Sequence, residues 1–254
     1  MKVLEDTFLE NIQSRIFALY SPIVEVMGGV IYRDLTLRHT GSIVSLSLPP
    51  SSASGWGFSN QGKGELRFNQ DGYVDCSNEF RSTSFTLTAW VYNRGINTNP
   101  YTAIVTSSVS GDFFGFALVL NVSAVDKVTL VIQDSTTETD INDPDVMSKN
   151  TWHYICGTYG GTTGRLYIDG LEKANATAPL AYESGDHLIL GDFTNTIDTS
   201  GRFTGSLGEV GIYNAALSAA EIRYLYNRNI LDPIYRSQEF LYLPPIKDYT
   251  YVKI

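Results

Sequence analysis

Between Asn150 and Asn227 the chain sets four local signals in a fixed order: WHYICGTY, RLYIDGLEKA, LILGD and FTGSLGEVGIYNAALSAAEIRYLYN. In the second, Asp169 and Gly170 stand between strand-like flanks. A two-residue hairpin of type I′ needs positive φ at both central positions, and Asp-Gly adopts it readily. In the last, Ser218 precedes Glu221 by three residues, so the hydroxyl caps the Glu221 N–H while the carboxylate returns to the Ser218 N–H. This box predicts a helix from about residue 219, with Ile222, Leu225 and Tyr226 as its buried stripe. Few folds run a tryptophan-led strand, a tight hairpin, a glycine-punctuated strand and a capped helix in that order.

From about residue 28 to 213 short alternating runs are separated by Gly, Ser, Asn and Asp clusters, the pattern of many short strands. In SFTLTAWVY, Phe85, Leu87, Ala89 and Val91 share one face, and Thr86, Thr88, Trp90 and Tyr92 share the other. Large apolar groups on both sides predict a strand inside a sandwich, with Trp90 and Trp152 in the core. FGFALVLN and KVTLVIQ predict an antiparallel pair, and the polar stretch DSTTETDINDPDVMSKN predicts a long loop at the rim. Composition agrees: hydrophobic residues make up 43% and charged residues 18%, with sixteen Tyr and twelve Phe, favouring strands over a helical bundle. A chain of 254 residues suits one large β core with appendages.

Those appendages are the two ends. In residues 1–25, Leu4, Phe8, Ile12 and Ile16 recur at four-residue spacing, one face of a helix. This segment either docks on a neighbour or packs back on its own domain. Residues 231–254 are rich in tyrosine and proline without helical or strand period, too aromatic for a solvated linker. A docking tail is expected there, through Tyr235, Phe240, Tyr242, Pro244 and Pro245.

The runs GKGELRFNQDGYVDC, WHYICGTYGGTTGRLYIDG and FTGSLGEVGIYNAALSAAEI resemble the laminin-G-like branch of the concanavalin A-like jelly rolls over roughly residues 26–230. The resemblance implies an all-β jelly-roll sandwich with a short C-terminal helix, flanked by N- and C-terminal arms. Pentraxins, thrombospondin N-terminal domains, bacterial glycan-binding modules and bacteriophage virion proteins share this order. Two departures bear on binding. Gly208 stands where the family often has Asp, and Asn69-Gln70 stands where it often has Asp-Gly. In the loop where pentraxins hold calcium, DFTNTID offers Asp192, Asn195 and Asp198, few oxygens for a hard cation. Asp192 and Asp198 are therefore the candidate calcium ligands, and no cofactor is expected as the default.

With 27 acidic against 18 basic residues the net charge is -9 and no basic cluster stands out, which argues against nucleic acid and against anionic membranes. No run approaches the roughly 20 apolar residues of a membrane span. Glu5, Asp6 and Glu10 interrupt the start, so no export signal is expected and synthesis in a cytosol is. Cys76 and Cys156 fall within apparent strands and are expected as buried free thiols. His153, in the tryptophan-led strand, is expected to be hydrogen-bonded rather than catalytic.

Sugar binding would use aromatic faces beside amides and carboxylates. Trp56, Tyr101, Tyr182 and Phe193 on expected loops are the candidates, with Asn97, Asn99 and Asn195 nearby. Related glycosidases place paired carboxylates on alternate residues of one strand, and no such strand is legible, so a non-enzymatic protein is expected. The first expectation is a virion structural or decoration protein, its jelly roll projecting from the particle. Its arms would hold capsid, tail or sister subunits in a homo-oligomer, and it would also touch host surface glycans. The alternatives are a glycan-binding adhesion module at a cell surface and, third, a glycoside hydrolase or lyase.

Overall fold

The structure, a computed structural model, describes residues 10–20, 31–33, 36, 38–46, 54–58, 64–76, 80–94, 101–108, 115–122, 124–182, 185–192 and 201–231. The strands are β1 (Ile16–Tyr20), β2 (Ile31–Arg33), β3 (Thr40–Val44), β4 (Gly55–Phe58), β5 (Gly64–Asn69), β6 (Tyr73–Asp75), β7 (Phe85–Asn93) and β8 (Thr102–Ser108). They continue as β9 (Gly115–Leu120), β10 (Val128–Gln133), β11 (Glu138–Asn142), β12 (Trp152–Tyr159), β13 (Thr163–Ile168), β14 (Leu171–Thr177), β15 (His187–Leu190) and β16 (Thr204–Tyr213). One helix, α1 (Ala219–Leu231), follows.

Two antiparallel sheets form the sandwich. The first runs β14-β13-β12-β7-β16-β5-β4, with β1 also on β16, and the second runs β11-β10-β9-β8-β15-β6-β3-β2. Their facing surfaces enclose a core to which β7 contributes Phe85, Leu87, Ala89 and Val91, and β9 contributes Phe116, Leu118 and Leu120. The other face of β7 is buried too. Trp90 joins Tyr154, Cys156, Tyr167, Tyr213, Leu217, Ile222 and Ile12 in a second core on the outside of the first sheet. Both faces of this strand are thus buried up to the half-buried Tyr92, as its sequence demands.

α1 covers that second core. It starts with the expected box: the Ser218 N–H donates to Glu221 Oε2 at 2.7 Å, and the Glu221 N–H donates to Ser218 Oγ at 3.4 Å. Thr86 anchors the approach, its Oγ1 donating to the Ala215 carbonyl and accepting from the Leu217 N–H, both at 2.8 Å. Tyr226 stacks on Trp90 with ring centroids 5.9 Å apart. The hairpin between β13 and β14 turns at Asp169 (φ 52°) and Gly170 (φ 78°) as expected.

Residues 10–20 pack back on the domain. Ile12 is buried in the second core, and β1 pairs with β16 over Val210–Tyr213. A strand occupies Ile16–Tyr20, so the four-residue stripe does not continue as a helix through Ile16. Ala18 and Tyr20 enter the main core, and Arg15 forms an ion pair with Glu221. Burial of Ala18, Leu19 and Tyr20 and pairing with β16 here outweigh local helical spacing.

A second correction concerns the polar stretch after Gln133. It is not all loop: Glu138–Asn142 forms β11, the edge strand of the second sheet, in register with β10. Ile141 alone of its side chains is buried in the main core. The tail residues Tyr235, Phe240, Tyr242, Pro244 and Pro245 lie outside the described residues.

Candidate functional site

β11 turns Ile141 inward, so Glu138, Asp140 and Asn142 alternate onto the outer face of the second sheet. The register aligns Asp140 with Val131 and Ala117, and Asn142 with Thr129, Val119 and Ala103 across successive strands. Ala103, Ala117, Val119 and Val131 form a small apolar floor, and Tyr101 packs against it. The Tyr101 hydroxyl donates to Glu138 Oε1 at 2.8 Å, and Thr129 Oγ1 donates to Asn142 Oδ1 at 2.8 Å. The ring is therefore fixed at both ends, by the floor and by the carboxylate.

Tyr101 holds φ 54°, a left-handed backbone that costs a bulky residue strain and is tolerated where surrounding contacts fix it. Its phenol is pushed up to about 12, first by burial and then by the hydrogen bond to Glu138 and the charges of Glu138 and Asp140. The Asp140 carboxyl is also raised, by desolvation and then by the Glu138 charge. Among the described residues neither carboxylate forms an ion pair. A fixed aromatic ring, two carboxylates and an amide over an apolar floor suit a sugar ring, which has apolar faces and a girdle of hydroxyls.

The paired carboxylates correct the sequence reading. Glu138 and Asp140 stand at alternate positions of one strand, a pattern hidden while ETDIN counted as loop. Asn142 takes the next position on the same face. The signal available in the sequence was the single inward Ile141 between polar neighbours, too short a period to mark a strand alone.

The remaining candidates are dispersed. Trp56 belongs to β4 at the far edge of the first sheet, paired with Leu66, rather than to a loop. Tyr182 is a staple: its hydroxyl donates to the Ser82 carbonyl at 2.9 Å and its ring stands edge-on to Phe116, closing one end of the main core. Burial raises its phenol well above the ordinary value. Phe193, Asn195, Asp198, Asn97 and Asn99 lie outside the described residues.

Asp192 is buried, and its Oδ2 accepts from Arg202 Nε at 3.0 Å. A guanidinium already compensates this carboxylate, which leaves little charge for a divalent cation. Among the described residues no group of three His, Cys, Asp or Glu side chains is placed to hold a metal ion.

Gly208 has a packing role. β16 shifts register against β7 between Leu207 and Val210, and a Cβ at Gly208 would lie 3.0 Å from the Trp90 Cβ. The glycine at this bulge lets Trp90 and β16 approach closely. Cys76 and Cys156 are buried free thiols, and burial holds the Cys156 thiol far above its ordinary value. No helix among the described residues is long and apolar enough to cross a membrane.

Several solved structures share this architecture. Domain 4 of the extracellular arabinanase AbnA from Geobacillus stearothermophilus, solved with arabinotriose, superposes with TM-score 0.64 at 18% identity, covering 84% of this chain and 98% of that one. The binding domain of botulinum neurotoxin serotype D gives TM-score 0.60 at 15% identity, over 87% of this chain and 53% of that one. Trypanosoma rangeli sialidase gives TM-score 0.60 at 13% identity, over 86% of this chain and 33% of that one. The chain spans about half the length of the toxin binding domain and a third of the sialidase. At these identities the likeness is one of fold. No curated protein matches the chain. Its sequence matches the pattern described as the Concanavalin A-like lectin/glucanases superfamily over residues 68–223, more than half its length, and the chain belongs to that superfamily.

Proposed function

We propose that the protein is a glycan-binding module whose binding face is the outer surface of β8 to β11, centred on Tyr101. The observation that carries this reading is the Tyr101 ring, held on an apolar floor and hydrogen-bonded to Glu138 beside Asp140 and Asn142. The ring, packed against the floor, forms one wall for a pyranose or furanose, and the carboxylates and amide accept its hydroxyl hydrogens. Binding needs no metal cofactor and leaves glycosidic bonds intact. Similarity to an arabinanase domain solved with arabinotriose supports oligosaccharides as the ligand class.

A glycan array followed by calorimetry tests the reading, with and without chelator. Tyr101→Ala is expected to weaken binding roughly tenfold, since an aromatic contact contributes about 0.5–1.5 kcal/mol beyond its area. An array with no ligand, or unchanged affinity in Tyr101→Ala, would overturn it.

A second reading has one specific observation behind it: Asp140, its carboxyl raised toward the protonated form, shares a strand face with Glu138. An acid with a raised pKa beside a second carboxylate is the pairing glycoside hydrolysis uses. Reducing-end release from polysaccharides that is lost in Asp140→Asn would favour it over binding alone.

Within either reading, we propose that the module is carried on a larger assembly such as a virion. The Tyr- and Pro-rich residues 231–254 would attach it to capsid, tail or sister subunits. Light scattering of a chain ending at residue 231 tests the attachment, because an unchanged oligomer would remove its basis.

A further inference from the structure

Away from the Tyr101 face, three side chains from three segments form one hydrogen-bonded chain. His153 Nδ1 lies 2.8 Å from Asp169 Oδ2, and His153 Nε2 lies 2.7 Å from Ser148 Oγ. Asp169 is fixed in turn: its Oδ1 accepts the Tyr154 N–H at 2.9 Å, and its own N–H donates to the Tyr154 carbonyl at 2.8 Å. The strand β12 and the Asp169-Gly170 turn thus hold the imidazole between a carboxylate and a hydroxyl.

The partners set the tautomer. An ionised carboxylate only accepts, so Nδ1 carries the proton in the neutral ring, and Nε2 is left as the acceptor for the Ser148 hydroxyl. This is the arrangement in which an imidazole withdraws a serine proton and a carboxylate steadies the imidazolium that forms. Ser148 is exposed while the His153 side chain is only 13% exposed, so an incoming molecule reaches the hydroxyl and the base stays sheltered.

We propose that Ser148 is an activated nucleophile that takes the acyl group from neutral carboxylic esters, with His153 as base and Asp169 as the residue that positions it. Ser148 Oγ bonds to the ester carbonyl carbon as His153 Nε2 takes its proton. The bond from that carbon to the alcohol oxygen then breaks, and the alcohol leaves with the proton from His153. Water repeats the sequence, releasing the carboxylic acid and restoring the serine. Neutral esters are specified by the surroundings. In the flanking segments Asp145 is paired with Lys173 and Glu172 with Arg165, which leaves no unbalanced charge on those carboxylates to draw a charged ester, and Val146 (59% exposed) and Leu171 (54% exposed) offer apolar surface. This site is separate from the glycan-binding reading and does not depend on it.

The test is labelling with a neutral alkyl fluorophosphonate reporter, in which Ser148 Oγ displaces fluoride from phosphorus, followed by peptide mass spectrometry. Covalent modification at Ser148 is expected, with a burst of p-nitrophenol from p-nitrophenyl acetate at one equivalent per chain. Ser148→Ala removes both signals. Asp169→Asn keeps a turn-forming Asn-Gly pair, so the fold is retained, yet it is expected to slow labelling by about a hundredfold or more. His153→Gln is expected to do the same. Labelling of the native protein no faster than Ser148→Ala, or equal rates in native and Asp169→Asn protein, would overturn the proposal and leave the three residues as a brace for the turn.

Discussion

Tyr101 and Gly208 show how single residues answer to different parts of the structure. Tyr101 accepts an unfavourable backbone angle because its ring and hydroxyl are both held. Gly208 is where the family resemblance suggested a lost carboxylate, yet the space belongs to Trp90. Gly208→Asp would press a side chain and a charge against the second core. It is expected to destabilise the fold by roughly 1–3 kcal/mol in chemical denaturation and to confer no calcium dependence. Both residues were visible in the sequence, but their neighbours were not: Glu138 is 37 positions from Tyr101 in the chain.

At the scale of elements, legibility tracked the range of the forces involved. The Asp169-Gly170 turn and the Ser218–Glu221 box are closed within a few residues, and both stand where the sequence placed them. β11 exists because β10 offers it a hydrogen-bonding edge, and the paired carboxylates became apparent only with that strand. α1 depends on both local and distant groups. Its Glu221 bonds Ser218 and Arg15, and although burial pushes the carboxyl up, those partners hold it below its ordinary value. A depressed carboxyl stabilises the fold above its unfolded value of about 4.3 and loses that contribution as pH falls through the folded value. Glu221→Gln should therefore lower the thermal midpoint at neutral pH, and the gap from native protein should close as pH drops below 4. Ile222, fully buried on the inner face of α1, should cost about 2–5 kcal/mol when truncated to alanine, measured by chemical denaturation.

The whole molecule is a sandwich with two cores, and residues 10–20 belong to both. β1 extends the first sheet along β16 while Ile12 and Arg15 meet the second core and α1. Deleting residues 1–20 would bare the Val210–Tyr213 edge and remove these contacts. The expected results are a loss of about 3 kcal/mol or more and concentration-dependent association in light scattering. An unchanged midpoint would mean that the segment merely rests on the domain. By itself the sequence determined the sandwich class, the double-sided burial of β7, the hairpin and the capped helix. Each is written in side-chain alternation or in turn and cap chemistry closed within a few residues. Only the tertiary structure decided that residues 16–20 are a strand, that ETDIN is an edge strand, that Tyr101 meets Glu138, and that Ser148, His153 and Asp169 align. Those outcomes depend on which distant segments become neighbours, and hydrogen bonds across sheets carry no periodic trace in the chain that makes them.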